Sequence, residues 1–306
     1  MVGVTDSAFR QLAKDWGADV VYTEMISADA LVHSARKALA MLDHERVEYP
    51  LVAQLMGNDP AVLANAARLA ASRGVSGIDI NFGCPAHKIA RNECGVALMR
   101  DLDRCRRLIS VVCDAVPLPV SIKVRTSIRA QHAHLQSERI TIFDFLNKIA
   151  DLPIAALMVH GRSFEDSFEG GIRSKVIAGV KEIFRNGPVI ANGGITSIES
   201  SKDVLEQTKA DGLGLARSVI GKPWVFRQIR EYLATGSYVE MEWDGIKEAI
   251  TQHVSMFDTY RGMRPFQEIR RHLTHYIRGH RNASEIRQQL VHANSALDVQ
   301  SILTSY

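Results

Sequence analysis

An α/β fold, a closed (β/α)8 TIM barrel with its first strand largely missing, followed by a small all-helical C-terminal domain, is predicted by three features of this sequence. Short β-branched runs alternate with helix-like segments, polar and glycine-rich residues follow the ends of many different strands, and the alternation stops near Trp243. Alternation of this kind requires a parallel sheet, because each crossover helix returns the chain to run the next strand in the same direction. An open doubly wound sheet concentrates its ligand residues at one switch point, whereas a barrel gathers every strand end into one ring. The ring reads GN after Leu55, NFGCP after Ile80, KVR at Val124, HGR after Val159, NGG after Ala191 and AR after Leu215.

The chain opens with Met1-Val2-Gly3-Val4 and is expected to be helical by about Asp6, which leaves only the end of a first strand. Truncation at an internal Met is the expected reason, ahead of a barrel closed by seven strands or by a partner chain. Candidate strands then run Asp19 to Tyr22, Leu51 to Leu55, Gly77 to Ile80, Val120 to Val124, Ala155 to Val159, Val189 to Ala191 and Gly212 to Leu215. Between them, Pro60 to Arg73 places Val62, Ala66, Leu69 and Ala70 at helical spacing, and Asp101 to Val116 does the same with Leu102, Cys105, Leu108, Ile109 and Val112. His132 and His134 fall in a polar stretch that reads as a surface excursion. The barrel is expected over residues 1–236 and the helical domain over 237–306, with helices Asp244 to Tyr260, Pro265 to Arg278 and Ala283 to Asn294.

Composition narrows the class further. The 306 residues are 46% hydrophobic and 23% charged, with mean hydropathy −0.05, in the ordinary globular range that excludes global disorder and fibrous proteins. Apolar runs such as Leu152 to Val159 reach about eight residues, short of the roughly 18 to 20 that a membrane span needs, so no membrane is expected as a partner. Met1 to Arg10 carries no secretory pattern, so a cytoplasmic location is expected. Cys84, Cys94, Cys105 and Cys113 lie 10, 11 and 8 residues apart, which is neither CxxC nor zinc-finger spacing, so free thiols and no metal are expected. The net charge is +3, but residues 260 to 306 hold seven Arg against three acidic residues, so the basic character belongs to the C-terminal segment.

The residues that could carry chemistry lie at strand ends. Asn192-Gly193-Gly194 after one strand and Ala216-Arg217-Ser218 after the next suit a phosphate, since side-chain-free backbone approaches a ligand closely and exposed helix N–H groups favour an anion. An isolated NGG would more often only make a turn; its pairing with Arg217 favours the phosphate. Lys123 and Arg125 alternate with Val124 and so share the inner face, where a buried charge calls for an anion. His160 and Arg162 repeat the geometry one strand later. Gln54 is an amide at the same level, suited to a planar heterocycle. A loop thiol with an ordinary pKa of about 8.5 stays mostly protonated at neutral pH and could donate a proton. Cys105 and Cys113, on one helix, read as structural, and Cys84 before Pro85 could be either.

The strings GVTDSAFR, QLMGND, DINFGCPAHKIARNECGVALM, SIKVR, VHGRS, ANGGI and GKPWVF, in this order, resemble the tRNA-dihydrouridine synthases over essentially the whole chain, and EIRRHLTHYIRGH resembles that family's tail. The resemblance implies an FMN-containing barrel with a helical tRNA-binding domain that reduces uracil to 5,6-dihydrouracil in the D-loop region of tRNA, with NADPH as reductant. It places Met1 and Val2 at the flavin ring, Gln54 on the isoalloxazine, Lys123 at its N1/C2 carbonyl edge and His160 against the flavin. Asn192, Gly193, Gly194, Ala216 and Arg217 would hold the phosphate, although the family commonly has an acidic residue where Gly194 stands and glycine where Ala216 stands. Cys94 would be the general acid that protonates C5. Asn81, Arg125 and Arg162 would hold the uracil, and Arg271 and Arg278, with Tyr260, Phe266 and Tyr276 interleaved, would grip the tRNA backbone. Arg264 shares a face with Arg271 in this reading. The enzyme is expected to be monomeric. Two alternatives stay open: an FMN barrel acting on a small molecule, and a non-catalytic tRNA-binding relative.

Overall fold

A computed structural model describes residues 1–130, 138–167, 170–262 and 264–306. His132 and His134 lie outside the described residues. The chain divides into two compact units, one of Met1–Glu24, Asp43–Pro50 and Ala216–Tyr306, the other of Met25–Leu42 and Leu51–Leu215. No helix among the described residues is long and apolar enough to cross a membrane.

The strands in chain order are β1 (Val21–Tyr22) in the first unit and, in the second, β2 (Ile26–Ser27), β3 (Leu51–Met56), β4 (Gly77–Phe82), β5 (Val120–Arg125), β6 (Ser127–Arg129), β7 (Arg139–Thr141), β8 (Ile154–His160), β9 (Val189–Asn192) and β10 (Gly212–Gly214). Within the second unit β2, β3, β4, β5, β8, β9 and β10 pair in that order, every pair parallel. This is the curled parallel sheet of a (β/α) barrel, as the alternation predicts. β6 and β7 form a separate antiparallel hairpin. The hairpin and β2 were not anticipated, because two or three residues carry no readable period.

The helices between strands are capped by their own sequence. Asp59 accepts the Val62 amide at 2.9 Å with Pro60 in the first turn, starting the helix Pro60–Ser72, whose Leu63, Ala66, Ala67 and Ala70 are buried. Asp101 accepts from the Arg104 amide at 2.9 Å and starts Leu102–Ala115 in the same way. β4, GIDINF, is buried at every position, as a strand covered on both faces must be. Strand register then arranges the polar residues in rows. Gln54, Asp79 and Ser121 stand abreast on β3, β4 and β5; Asn81 faces Lys123 one step further; and Arg125, His160 and Asn192 stand abreast on β5, β8 and β9.

In the first unit Met1–Thr5 form a turn, with the Val4 and Thr5 amides donating to the Met1 carbonyl. The helix Ser7–Asp15 follows, capped by Asp6. Arg10 and Glu48 are ion-paired and almost fully buried. The helices Ser7–Asp15, Trp243–Tyr260, Arg270–Tyr276, Ala283–Leu290 and Ala296–Thr304 share a core that includes Ala8, Trp224, Ile250, Phe257, Leu273 and Leu290, and Val225–Thr235 follows Trp224. The expected helix Pro265 to Arg278 is instead a 3-10 turn Phe266–Ile269 followed by Arg270–Tyr276, and Ala283–Leu290 ends short of Asn294. Ser295 caps the last helix, which sequence reading missed. A second correction concerns the interleaved aromatics. Phe266 and Tyr276 are 5% and 2% exposed and belong to this core, where apolar burial outweighs display to a ligand; Tyr260 alone of the three is exposed.

Candidate functional site

The ends of β3, β4, β5, β8 and β9 bring together Gln54, Asn81, Lys123, Arg125, His160, Asn192 and Gly193. Gln54 Nε2 donates to Asp79 at 2.8 Å, and Asn81 Nδ2 donates to Gln54 Oε1 at 2.9 Å. Asn81 Oδ1 in turn accepts the Gly83 and Cys84 amides, both at 2.9 Å. A Cβ on Gly83 would stand 3.8 Å from Lys123 Nζ, so the ammonium lies directly under the loop that follows β4. Arg125, 1% exposed, donates from Nε to the Gly83 carbonyl at 3.0 Å and from Nη1 to the Ser163 carbonyl.

His160 and Arg162 continue the cluster. Arg162 Nη1 lies 3.4 Å from His160 Nε2, and because a guanidinium can only donate, that ring nitrogen is the acceptor. Gly193, at φ +94°, packs on the His160 ring where a Cβ would come within 3.0 Å, and Gly194, at φ +76°, packs on Ile172. Both positions need glycine for conformation as well as space. Asn192 Nδ2 donates to the Gly214 carbonyl at 2.6 Å. A cavity of about 340 Å³ adjoins, lined by Arg162, Asp166, Ile172 and Arg173. Donors of this kind, cations and amides beside a glycine cradle, fit an anionic planar heterocycle that carries a phosphate.

The two loop thiols differ in surroundings. Cys84 is half-buried and lies among the charges that act on Lys123 and Arg125. Cys94, 7% exposed, borders Asp29, Arg104 and Glu93 instead, and burial pushes its thiol up to about 11. The loops touch: the Val96 amide donates to the Cys84 carbonyl at 3.2 Å, and Gly95, at φ +61°, fits only because it lacks a Cβ there. Arg104 donates to Glu93 at 2.9 Å and to the Asn58 carbonyl at 2.9 Å, bracing the Cys94 loop from the helix below. Cys105 is fully buried and donates to the Leu98 carbonyl, a structural role, while Cys113 is half-buried. Asp79 is the member that sequence reading gave no role, and Cys84 is the one it left open between structure and chemistry. The alternation of Asp79 with Asn81 in GIDINF was the available signal for Asp79.

Met1, Val2, Ala216, Arg217, Arg271 and Arg278 belong to the first unit. Arg217 opens a 3-10 turn, Arg217–Val219. The Arg271 guanidinium lies against Gly3 and donates to the Glu268 carbonyl at 3.1 Å. Arg264 donates to Glu24 at 2.7 Å and stands near Asp6 and Glu268, so its charge is balanced within the unit. Arg278 is exposed.

The fold and this ring of donors define a parallel-barrel enzyme. The chain belongs to the dihydrouridine synthase family, whose model, Dihydrouridine synthase (Dus), matches residues 1–304. It is 35% identical over 290 residues to the tRNA-dihydrouridine synthase B of Xanthomonas campestris pv. campestris, an overlap of 94% of this chain and 85% of that one. Among solved structures it is similar in fold to the old yellow enzyme from Trypanosoma cruzi, with a TM-score of 0.52 at 12% identity, over 78% of this chain and 85% of that one. The histamine dehydrogenase from Rhizobium sp. 4-9 gives 0.53 at 14% identity over 82% of this chain, which spans 46% of that longer protein.

Proposed function

We propose that this chain is a flavin-dependent oxidoreductase that reduces uridines in the D-loop region of tRNA to 5,6-dihydrouridine, with FMN as its flavin and NADPH as reductant. Membership of the dihydrouridine synthase family supports the reaction. The observation that carries the site is the convergence of Gln54, Asn81, Lys123, Arg125 and His160 at adjacent strand ends. FMN, when bound, supplies hydride to uracil C6. Lys123 would hold the pyrimidine edge of the flavin, where its cation would offset developing negative charge. Gln54 and His160 would hold the ring, and the Asn192-Gly193-Gly194 turn would take the phosphate. The roles of Met1, Val2, Ala216 and Arg217 at the flavin rest on the family resemblance.

Asn81, Arg125 and Arg162 orient the uracil, which must be turned out of its stack to enter the pocket. A thiol of the two touching loops delivers the proton to C5. We assign Cys84, because its loop lies over the Lys123 ammonium and is held by the Asn81 amide and the Arg125 guanidinium, the residues read as contacts to flavin and uracil. Cys94 is the second reading, favoured by the burial that keeps its thiol protonated. Residues 1–236 carry catalysis and 237–306 engage tRNA, with Arg271 and Arg278 on the phosphate backbone. The protein acts as a monomer in the cytoplasm.

The visible absorption spectrum of the purified protein, with identification of the released flavin, is the first test. An NADPH-driven assay on unmodified tRNA follows. Bound FMN and dihydrouridine formation are expected. Failure to bind FMN, even when it is added, would overturn the reading in favour of a non-catalytic tRNA-binding protein; flavin turnover with small unsaturated substrates but not tRNA would favour a small-molecule reductase.

A further inference from the structure

Asp79 is a wholly buried carboxylate to which the mechanism above gives no task. It accepts hydrogen bonds from Ser121 Oγ at 2.7 Å and Gln54 Nε2 at 2.8 Å, its neighbours abreast on β5 and β3. An ionised carboxylate has no proton to give, so Gln54 can take only one orientation: nitrogen towards Asp79 and oxygen towards Asn81. Asn81 must then donate with Nδ2, which leaves Oδ1 to accept the Gly83 and Cys84 amides. One carboxylate thus fixes donor and acceptor along three strands and into the thiol loop. Lys123, two positions beyond Ser121 on β5, is the diagonal neighbour of Asp79 on the same face.

We propose that Asp79 is a positioning residue: it sets the orientation of the Gln54 and Asn81 amides and serves as the buried counter-ion of Lys123. The proposal rests on the reading of Gln54, Asn81 and Lys123 as contacts to flavin and uracil. A residue needed only for packing would be apolar, because an unpaired buried carboxylate is strongly unfavourable.

Around Asp79 stand the Ser121 hydroxyl, the Gln54 amide and Lys123; around Lys123 stand Asp79, Arg125 and Cys84. Burial pushes Asp79 up to about 6 against its hydrogen bonds and Lys123. Burial also pushes Lys123 down to about 8, with Asp79 opposing and Arg125 assisting. Between those values the charged forms predominate, and loss of the carboxylate withdraws the main support of the ammonium.

The test uses the protein with its bound flavin. Its midpoint potential is followed from pH 5 to 9 in the natural chain, Lys123→Met and Asp79→Asn, and amide exchange at Gly83 and Cys84 is followed in parallel. The natural chain should show an alkaline inflection that Lys123→Met abolishes. Asp79→Asn should move it at least about one unit lower and speed exchange at Gly83 and Cys84 about tenfold or more. An inflection and exchange rates unchanged by Asp79→Asn would overturn the proposal. Should that variant not fold, Ser121→Ala keeps the carboxylate and removes one of its donors; the acid inflection near pH 6 should then rise, and an unmoved one overturns the proposal. A chain that binds no flavin overturns the functional reading instead, and the exchange measurement still decides the role of Asp79.

Discussion

Arg125 and Gly83 are joined by a hydrogen bond from guanidinium Nε to carbonyl oxygen at 3.0 Å, and this ties the inner end of β5 to the loop that presents Cys84. The same guanidinium reaches the Ser163 carbonyl beyond β8, so one buried cation spans two loops. Replacement by Met would keep the volume and leave both carbonyls short of a donor. Arg125→Met should therefore lower unfolding free energy by about 3 kcal/mol in urea titration, with bonds to charged groups worth roughly 1.5 to 3 kcal/mol each. A loss below about 1 kcal/mol would show that neither bond matters.

The two thiols should separate cleanly. Cys84→Ala should retain flavin and lose tRNA turnover by about 10²- to 10⁴-fold, the usual worth of general acid catalysis. Cys94→Ala, beside Asp29, Glu93 and Arg104, should lose less than about tenfold. Single-turnover oxidation of the reduced enzyme by tRNA is the measurement. The reverse ranking would return the proton to Cys94.

A buried histidine pair in the first unit should make stability depend on pH. His272 Nε2 contacts the Val4 carbonyl at 3.1 Å and so carries the proton; His253 Nδ1 meets the Tyr276 hydroxyl at 3.0 Å; the two rings are 4.7 Å apart. Burial, assisted by Arg271 and His275, outweighs the Val4 bond and pushes His272 down to about 3, and burial next to His272 pushes His253 well below its ordinary value. Both titrate near 6.5 when unfolded, so the unfolded chain takes up protons that the folded chain refuses. Their contribution is complete above about pH 6.5 and is lost as pH falls, by about 1.4 kcal/mol per pH unit for each histidine. Denaturation between pH 7.5 and 5 should show this slope, and His272→Gln should halve it. A slope that survives the substitution intact would assign it to other groups.

Arg278 should contribute to tRNA affinity through the phosphate backbone alone. Arg278→Ala should weaken binding a few-fold and lower the slope of log affinity against log salt by roughly one. Arg264→Ala, by contrast, removes a charge already balanced by Glu24 and should act on stability rather than on the salt slope. Equal slopes for Arg278→Ala and the natural chain would reassign Arg278 to a solvated helix face.

β3, β4, β5, β8, β9 and β10 were legible because hydrophobic runs bounded by turn residues mark a buried parallel strand, and their bounds shifted by no more than one or two residues. The inward aim of Lys123 and Arg125 was legible from alternation alone. β2, the β6–β7 hairpin and the helix Ala296–Thr304 were not, since each is too short or too weakly patterned to separate from a loop. Phe266 and Tyr276 looked like ligands because an aromatic between arginines reads alike whether it faces solvent or core; only the packing of five helices around them distinguishes the two.

By itself, the sequence determined the barrel class, the family and the strand ends that carry polar residues, because periodicity and local motifs are properties of contiguous chain. The tertiary structure decided which of those residues meet. Gln54 and Asp79 are 25 positions apart, and Asp79 and Ser121 are 42. Their hydrogen bonds follow from strand register, which is set by how whole strands pack and by no local run of residues. Likewise, Cys84 and Cys94 are equivalent as letters in two glycine-bearing loops; the charges that fold around each thiol make them different.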